Sequence, residues 1–434
     1  MVRSLKVRIL MNNWVIYTAF RHLKTKRREK GDTSTLLSII GILSGVMTMI
    51  TVIGVMNGFQ GSNIDKRVEI GSAHITLEPK SKSNNLDTDI INNIEGVKVS
   101  YYSSEFITAV SDEWDGEILG VQVKSLPSEI YEIDNNFREW VTIKSGQFDL
   151  SSENSIIIGQ SFAYTRHISV GDKVSLLSLK DDGTSSGFSP KQVEFVVKGV
   201  YRSGSVEYDE SLLFISNDSA LAYFINDGEF NYQIKIDNRN RYNHYTSILK
   251  KYTNITENYN IKNWREYNSS YYNALKNEKD LMTVLIGLIF LVVGINIYNS
   301  IRRSVYLRFE EISVLKTMGA TSFNIRVVFI LESFFIGLIG ATIGIILGLW
   351  IVTNINLIFE ILEYGINFIF SLINGTRVSF YGSQFFYLNE VPVEVYFTES
   401  VMVYLSAIAT SIIAAYTASK RISTIRPGEV IRNE

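Results

Sequence analysis

Four apolar stretches, unevenly spaced, dominate this 434-residue chain. One lies near the start, and the other three follow only after a long, mostly polar segment. Each is close to the roughly 20 residues that an α-helix needs to cross a bilayer core. The pattern predicts a membrane α-helical protein with four transmembrane helices and a large domain between the first two. The stretches are Leu36–Met56, Leu281–Ile301, Val327–Thr353 and Val401–Ala418.

The distribution of lysine and arginine predicts the orientation of these helices. Residues 1–35 contain nine Lys/Arg, residues 302–326 contain five and the tail 419–434 contains four. Residues 354–400 contain only Arg377, against five acids. Short, positively charged loops stay in the cytoplasm. Both termini and residues 302–326 are therefore predicted to be cytoplasmic, and the large domain and residues 354–400 to lie outside.

The hydropathy pattern divides the chain into alternating polar and apolar segments. A basic, amphipathic stretch at 13–24 (Trp14, Tyr17, Phe20, Leu23) predicts a helix at the cytoplasmic interface. The predicted segments are a cytoplasmic tail with this helix (1–31), span one (32–56), the large domain with a helical stalk (57–280), span two (281–301), a cytoplasmic loop (302–326), span three (327–353), an outer loop (354–400), span four (401–418) and a cytoplasmic tail (419–434).

The large domain is predicted to be of the α+β class. A strand–helix–strand pattern occurs at 73–102, and a second one occurs at 232–263. Two small α/β units around a strand-rich insert favour a mixed domain. Apolar positions from Trp264 to Leu275 recur at helical spacing and predict the stalk. The strands predicted between the two patterns are 117–123, 155–159, 173–179, 192–201 and 211–215.

Span three contains a stripe of glycines and one acid. Glycine lets helix backbones approach closely, which fits packing inside the four-helix bundle or at a moving partner interface. An intramembrane acid is a functional candidate by default. Glu332 fits a structural ion pair with Arg326 or with Arg302 and Arg303, and a proton relay is the alternative. The glycines are Gly337, Gly340, Gly344 and Gly348.

The sequence lacks the motifs of common enzymes. It contains no phosphate-binding loop, no H-E-x-x-H and no G-x-S-x-G. It has no cysteine, and its four histidines are scattered, so no metal or cofactor is predicted. Asp112, Glu113 and Asp115 fit a solvated hairpin. The net charge of −2 argues against a nucleic-acid partner. Energy for transport would have to come from another chain or an ion gradient, and the scarcity of intramembrane charges weighs against a gradient.

Several motifs resemble those of known permeases. Gly54-Val-Met-Asn-Gly-Phe59 and Gly71-Ser-Ala-His-Ile-Thr76 resemble the lipoprotein-releasing permeases of the LolC/LolE family. The segment 310–321 (EEISVLKTMGAT) and the glycine-rich start of span three resemble the wider FtsX-like, MacB-type superfamily, as does 416–432. The residues that carry the narrower resemblance are Val55, Met56, Asn57, Gly58 and Phe59.

The resemblance implies a complex in the bacterial inner membrane. Two permeases, either two copies or a copy with a paralogue, would work with a separate LolD-like ATPase. They would move lipoproteins from the outer leaflet to a periplasmic LolA-like carrier, in contact with membrane lipids. The periplasmic domain would be MacB-like, and residues 302–326 would hold the coupling helix that meets the ATPase. The matching residues are Glu310, Glu311, Leu315, Lys316, Met318, Gly319 and Ala320.

The resemblance also implies a hairpin that recruits the carrier. It matches a Gly/Ser-rich segment between two predicted strands, for which an ordinary surface loop is the alternative. Two other functions stay open: a MacB-type efflux permease, and an FtsX-like signalling permease that controls cell-wall hydrolases. The chain itself is predicted not to be an enzyme. The candidate carrier-binding residues are Gly187, Phe188, Ser189, Pro190 and Lys191.

Overall fold

The chain forms two compact units, which we call the helical unit and the sheet unit. The helical unit comprises residues 1–60, 276–378 and 391–434, and the sheet unit comprises residues 61–275 and 379–390. The structure, a computed structural model, describes residues 14–19, 21, 32–81, 86, 88–111, 118–180, 191–226, 229–372 and 390–420.

Four described helices are long and apolar enough to cross a membrane. They are α1, α2, α4 and α6 below, and α1 passes directly into a π-helical turn, Arg67–Ser72. The predicted fold class, four spans with a large α+β domain between the first and second, is confirmed. The helices are α1 (Asp32–Lys66), α2 (Ser269–Leu307), α3 (Phe309–Thr317), α4 (Ser322–Thr353), α5 (Ile355–Leu372) and α6 (Phe397–Ser419).

The glycines of α4 are the sites at which this helix meets its neighbours. A Cβ added to Gly340 would lie 3.0 Å from Ile42 Cβ, and one added to Gly348 would lie 2.9 Å from Ile50 Cβ. Both of these neighbours belong to α1. Gly337 instead faces Ser411 of α6. The structure therefore places the glycine stripe in packing within a single chain, where missing side chains let the backbones approach.

Helix α2 is packed far less closely. Its buried residues recur every fourth position, so they form one narrow stripe along the helix. Much of its remaining apolar surface is exposed. The buried residues are Val293, Ile297, Ile301 and Val305. The exposed residues are Leu281, Val284, Leu285, Leu288, Leu291, Val292 and Ile295.

Residues 354–400, predicted as a loop, contain helix α5. The polar residues of this helix recur at spacings of four, three, four and four, which places them on one side. The polar residues are Asn356, Glu360, Glu363, Asn367 and Ser371.

The basic stretch near the start of the chain is helical at residues 14–19 and at residue 21. Val15 and Ala19 are buried against Val328 of α4. Tyr17, predicted on the apolar side, is 67% exposed. The side that packs on the protein is therefore the Val15–Ala19 side. Phe20 and Leu23 lie outside the described residues.

The described part of the sheet unit forms a ten-stranded mixed sheet. The strand order is β10-β1-β9-β2-β3-β8-β5-β7-β4, and β6 pairs with β2 and β7. The pairs β3/β8 and β5/β7 are parallel, and the others are antiparallel. The strands are β1 (Ile75–Pro79), β2 (Val97–Ser111), β3 (Ile118–Leu126), β4 (Thr142–Gly146), β5 (Ser155–Gly159), β6 (Lys173–Ser178), β7 (Lys191–Arg202), β8 (Leu212–Ser216), β9 (Asn231–Ile236) and β10 (Tyr259–Asn263).

Short helices and turns connect these strands. The strands predicted from alternation are present, whereas β4 was not predicted. In the first predicted strand–helix–strand pattern, β1 and β2 are not neighbours, because β9 lies between them. The predicted stalk is helical but interrupted at Asn268. The short helices are Thr88–Asn92, Ile130–Ile133, Asn135–Trp140, Gln160–Thr165, Val206–Ser211, Asn217–Tyr223, Arg239–Arg241 (a 3₁₀ turn), Tyr242–Leu249, Thr253–Asn258 and Trp264–Tyr267.

Candidate functional sites

Helix α3 is a short helix held firmly at its C-terminal end. The N–H of Ala320 donates to the carbonyl of Leu315 at 2.9 Å, and that of Gly319 donates to Lys316 at 3.0 Å. This pair of bonds is a Schellman motif, and it requires a left-handed residue, which Gly319 supplies with φ +95°. Thr321 then caps α4 by accepting from the N–H of Asn324.

The two sides of α3 differ sharply. Ile312 and Ser313 are buried, and Leu315 packs against the core of the helical unit. Val314 is 53% exposed and Met318 is 79% exposed. The predicted coupling residue Leu315 therefore anchors the helix, whereas Met318 faces outward. Val314, which the sequence analysis did not single out, shares that outward side because it is four residues from Met318.

Two further apolar side chains flank α3 in the sequence. Tyr306, near the end of α2, is 78% exposed, and Phe323, at the start of α4, is 71% exposed. Neither was identified from the sequence, because the segment between the two spans contains many apolar residues and only the packing shows which of them are exposed. Of the predicted acids, Glu310 is exposed and Glu311 is half-buried, as is Lys316.

An ion pair joins the residue before α3 to α4. Arg308 Nη1 lies 3.6 Å from Glu332 Oε2, and Glu332 is 1% exposed. The sequence predicts Arg326, Arg302 or Arg303 beside Glu332, and the structure places Arg308 there. The chain turns back at α3, which brings Arg308 level with Glu332. The contact favours a structural ion pair, and both this role and a proton relay stay predictions for Glu332.

A polar junction joins three spanning helices at the end of α1, and we call it the Asn57 junction. Asn57 Nδ2 donates to Glu399 Oε2 at 2.5 Å, and Lys279 Nζ donates to Glu399 Oε1 at 2.7 Å. These residues belong to α1, α6 and α2. A carboxylate that accepts from an amide and an ammonium group forms charge-assisted hydrogen bonds, which are stronger than neutral ones.

The glycines beside Asn57 let another segment pack on α1. The N–H of Glu394 donates to the carbonyl of Gly54 at 2.9 Å, and the backbone of Pro392 lies directly against Gly58. A Cβ on Gly58 would overlap that backbone, so only glycine fits there. The motif Gly54–Phe59 thus has a physical role: its two glycines seat residues 392–395, and its asparagine binds α6.

In the sheet unit, two buried lysines close the π-helical turn that follows α1. Lys124 Nζ donates to the carbonyls of Ile70, at 2.7 Å, and Gly71. Lys235 Nζ donates to the carbonyl of Glu69 at 2.7 Å. Carbonyls at a helix end carry partial negative charge and lack helical partners, so ammonium groups satisfy them.

Lys235 forms direct ion pairs with two carboxylates, and its pKa differs from that of Lys124. Burial alone would lower the pKa of Lys235, but Tyr101, Glu69 and Asp134 raise it above its ordinary value. Its Nζ lies 2.8 Å from Glu69 Oε2 and 2.6 Å from Asp134 Oδ2. Burial lowers the pKa of Lys124 to about 7. Burial also lowers the pKa of His74, beside Glu69, to about 4, so this imidazole is neutral at physiological pH.

The beginning and the end of the sheet unit are bound to each other. The guanidinium of Arg67 stacks on the ring of Tyr271 at 4.1 Å, and Asn268 Nδ2 donates to Ser72 Oγ at 2.7 Å. Arg67 and Ser72 belong to the π-helical turn, whereas Asn268 directly precedes α2 and Tyr271 lies in its first turn. The chain therefore enters and leaves this unit through one connected region.

Some predicted features lie outside the described residues. They include Gly187, Phe188, Ser189 and Pro190 of the predicted carrier-binding loop, whereas Lys191 is the exposed first residue of β7. The acids Asp112, Glu113 and Asp115 and the motif at 421–432 also lie outside. Across the residues that the structure does describe, no group of three His, Cys, Asp or Glu is arranged to hold a metal.

Comparison with known proteins matches both parts of the chain. The MacB-like periplasmic core domain matches residues 35–248, and the FtsX-like permease C-terminal domain matches residues 283–427. The lipoprotein-releasing system transmembrane protein LolC of Neisseria meningitidis serogroup B is 26% identical over 96% of this chain and 99% of that protein. LolC of Xylella fastidiosa is 24% identical over 98% and 100%, and LolE of Haemophilus influenzae is 23% identical over 91% and 93%.

Four spanning helices, a short helix between the second and third, and a large domain between the first and second define an ABC transporter permease. Both matching regions follow that architecture in the same order along the chain. The protein belongs to the FtsX-like permeases that carry a MacB-like periplasmic core domain.

Proposed function

We propose that this chain is the permease subunit of an ABC transporter that extracts lipoproteins from the outer leaflet of the bacterial inner membrane. It passes them to a periplasmic LolA-like carrier, and a separate LolD-like ATPase supplies the energy. The near full-length similarity to lipoprotein-releasing proteins supports this proposal. The distribution of lysine and arginine supports cytoplasmic termini and a periplasmic sheet unit.

The observation that carries the proposal is the outward side of α3. Val314 and Met318 expose apolar side chains on a helix whose other side is anchored in the core. An exposed apolar surface on a rigid element is typical of a docking site for another protein. The LolD-like ATPase docks on this side, and its closing motion moves α3 as a lever.

The surface of α2 fits the passage of acyl chains. In the most apolar stretch of α2, only 11% of the residues are buried. Most of this helix is therefore available to lipid, to substrate or to a second permease. In this proposal acyl chains pass laterally between α1 and α2. Transfer of acyl chains out of the bilayer costs about 0.8 kcal/mol per CH₂ group. Because a lipoprotein carries two or three such chains, ATP coupling is needed together with an apolar surface on the carrier.

A matched pair of valine substitutions tests the docking surface. Val314 is 53% exposed on α3, and Val206 is 48% exposed in the sheet unit. We expect Val314→Glu to abolish stimulation of the partner ATPase, because a carboxylate would be desolvated in the interface. Val206→Glu should leave stimulation unchanged. The measurement is ATPase stimulation in a complex reconstituted in nanodiscs. Equal stimulation by both variants would show that the ATPase does not dock on α3.

A charge reversal tests the predicted coupling residue Glu311. We expect Glu311→Lys to impair ATPase coupling while membrane insertion stays intact, because Glu311 lies in the first turn of α3, near the docking side. The measurement is lipoprotein release from proteoliposomes, with protein content of the membrane fraction as the control. Normal release would refute the lever role of α3.

The substrate class is tested by release of a triacylated lipoprotein to purified carrier. ATP-dependent release supports the proposal over an efflux permease. A complex that hydrolyses ATP but activates a cell-wall hydrolase without moving lipoprotein would instead be a signalling permease. Size analysis of the purified complex would show whether two copies of this chain suffice or whether a paralogue is needed.

A further inference from the structure

Helix α5 has a narrow polar side and a wide apolar side. Its polar residues all fall on one stripe, and the apolar residues occupy the rest of the circumference. The apolar side is largely exposed: Ile361 is 61% exposed, Tyr364 78% and Phe368 60%. Such a surface is too apolar to face water in a stable protein. The further exposed residues on this helix are Leu357, Leu362, Ile369 and Phe370.

The first residue of the polar stripe of α5 is bound to the protein. Asn356 accepts a hydrogen bond through Oδ1 from the N–H of Val391 at 2.9 Å. Val391 begins the segment that packs on Gly54 and Gly58 of α1. The N-terminal end of the polar stripe is thus bound next to the Asn57 junction, whereas Ile361, Tyr364 and Phe368 on the apolar side are exposed.

Chain connections keep α5 at the membrane surface. A single residue, Asn354, separates it from the end of α4 at Thr353, and the chain enters the bilayer again at Phe397, where α6 begins. Both ends of this segment are therefore fixed at the same end of the spanning helices. Lipid is the apolar material present at that level, and a helix with a large apolar side and few charges lies within the interface.

We propose that α5 lies in the outer-leaflet interface with its apolar side inserted among the acyl chains. It displaces lipid beside the outer end of α1. Resting on the proposed function, this places a disturbed patch of lipid where a lipoprotein leaves the membrane. Attraction to anionic lipid contributes nothing to the insertion, because α5 contains Glu360 and Glu363 but no lysine or arginine.

The absence of cysteine from the sequence makes a site-directed label straightforward. Nitroxide labels are placed at Ile361→Cys and Phe368→Cys on the apolar side, and at Glu360→Cys and Ser371→Cys on the polar side. The permease–ATPase complex is reconstituted in nanodiscs of phosphatidylethanolamine and phosphatidylglycerol. Collision with oxygen and with a water-soluble nickel chelate then reports the depth of each label.

We expect the apolar-side labels to be accessible to oxygen and protected from the chelate, at a depth of roughly 5–10 Å. The polar-side labels should show the reverse. Equal access of the chelate to all four labels would overturn the proposal. Protection of the apolar side from both reagents, with dipolar broadening between labels, would also overturn it, by showing that a second copy covers this side.

The link to lipoprotein release is tested separately. In the double variant Ile361→Ser with Phe368→Ser, helix α5 should no longer insert into the lipid, and lipoprotein release should be slower. Glu360→Gln should change neither the insertion of α5 nor the rate of release. Release at the wild-type rate after loss of insertion would overturn the role in release. Because the depth measurement needs no substrate, insertion without any lipoprotein release by the wild-type complex would reject the proposed function and leave the lipid contact standing.

Discussion

Helices α2 and α4 are both apolar enough to span a membrane, yet they are packed very differently. In the most apolar stretch of each helix, 39% of the residues of α4 are buried but only 11% of those of α2. Helix α4 contacts α1 and α6 through glycines, whereas α2 has one stripe of contact residues. Within this chain α4 is a structural helix, and α2 is the helix whose surface is available for partners, lipid and substrate.

The largest expected effect comes from filling the glycine contact of α4. A Cβ on Gly344 would lie 2.9 Å from the carbonyl of Leu43, whereas one on Gly287 of α2 would have nothing within 4 Å. We expect Gly344→Leu to cost about 3 kcal/mol or more, because the backbone of α1 cannot yield cheaply. Gly287→Leu is the matched control. The measurement is the yield of monodisperse protein and its thermal unfolding in detergent.

Similar losses for both leucine variants would break the comparison. They would show that α2 is as closely packed in the assembled protein as α4.

The next effect concerns the single contact stripe of α2. Ile297 is 1% exposed on that stripe, and Leu288 is 53% exposed elsewhere on the helix. We expect Ile297→Ala to destabilise the helical unit by about 2 kcal/mol through lost packing. Leu288→Ala should leave stability close to the wild-type value and alter only lipoprotein release. Thermal unfolding and release assays on the two variants would show whether contact and function are separated on α2.

A smaller effect is expected at the Asn57 junction, where α2 is held through Lys279. A double-mutant cycle of Lys279→Ala and Glu399→Ala should give a coupling energy of about 1 kcal/mol, since the pair is partly exposed. Gln60→Ala, whose contact with Glu278 is 3.4 Å long, is the control. A coupling energy of zero in low salt would mean that the junction does not hold α2.

The smallest effect is expected in the sheet unit, at the lysine that caps the turn after α1. The pKa of Lys124 is lowered to about 7 in the folded state. As the pH rises, the folded protein therefore loses this proton at a lower pH than the unfolded chain does. Stability should therefore rise with pH, by less than about 1 kcal/mol over the pH unit around neutrality. The measurement is hydrogen exchange of β3 in the full chain. The variant Lys124→Met should lose this dependence, and a wild-type fall in stability over that range would contradict the assignment.

Sequence patterns predicted the spans and most strands because hydropathy and alternation are local properties. They did not separate Val314 from Leu315, since both are apolar and only the packing of α3 shows which one is buried. Lys124 and Lys235 were not singled out because a lysine in a strand is usually exposed; their partners come from distant parts of the chain. Helix α5 carried a readable signal in the spacing of its polar residues, which the prediction of an outer loop did not use.

The short turn at Gly319 has a mechanical consequence. Only residues 318–321 separate α3 from α4, and only Arg308, which pairs with Glu332, separates α2 from α3. A displacement applied to α3 therefore reaches α2 and α4 directly and passes on to α1 through the glycines of α4. One push at this end of the bundle thus tilts three spanning helices together.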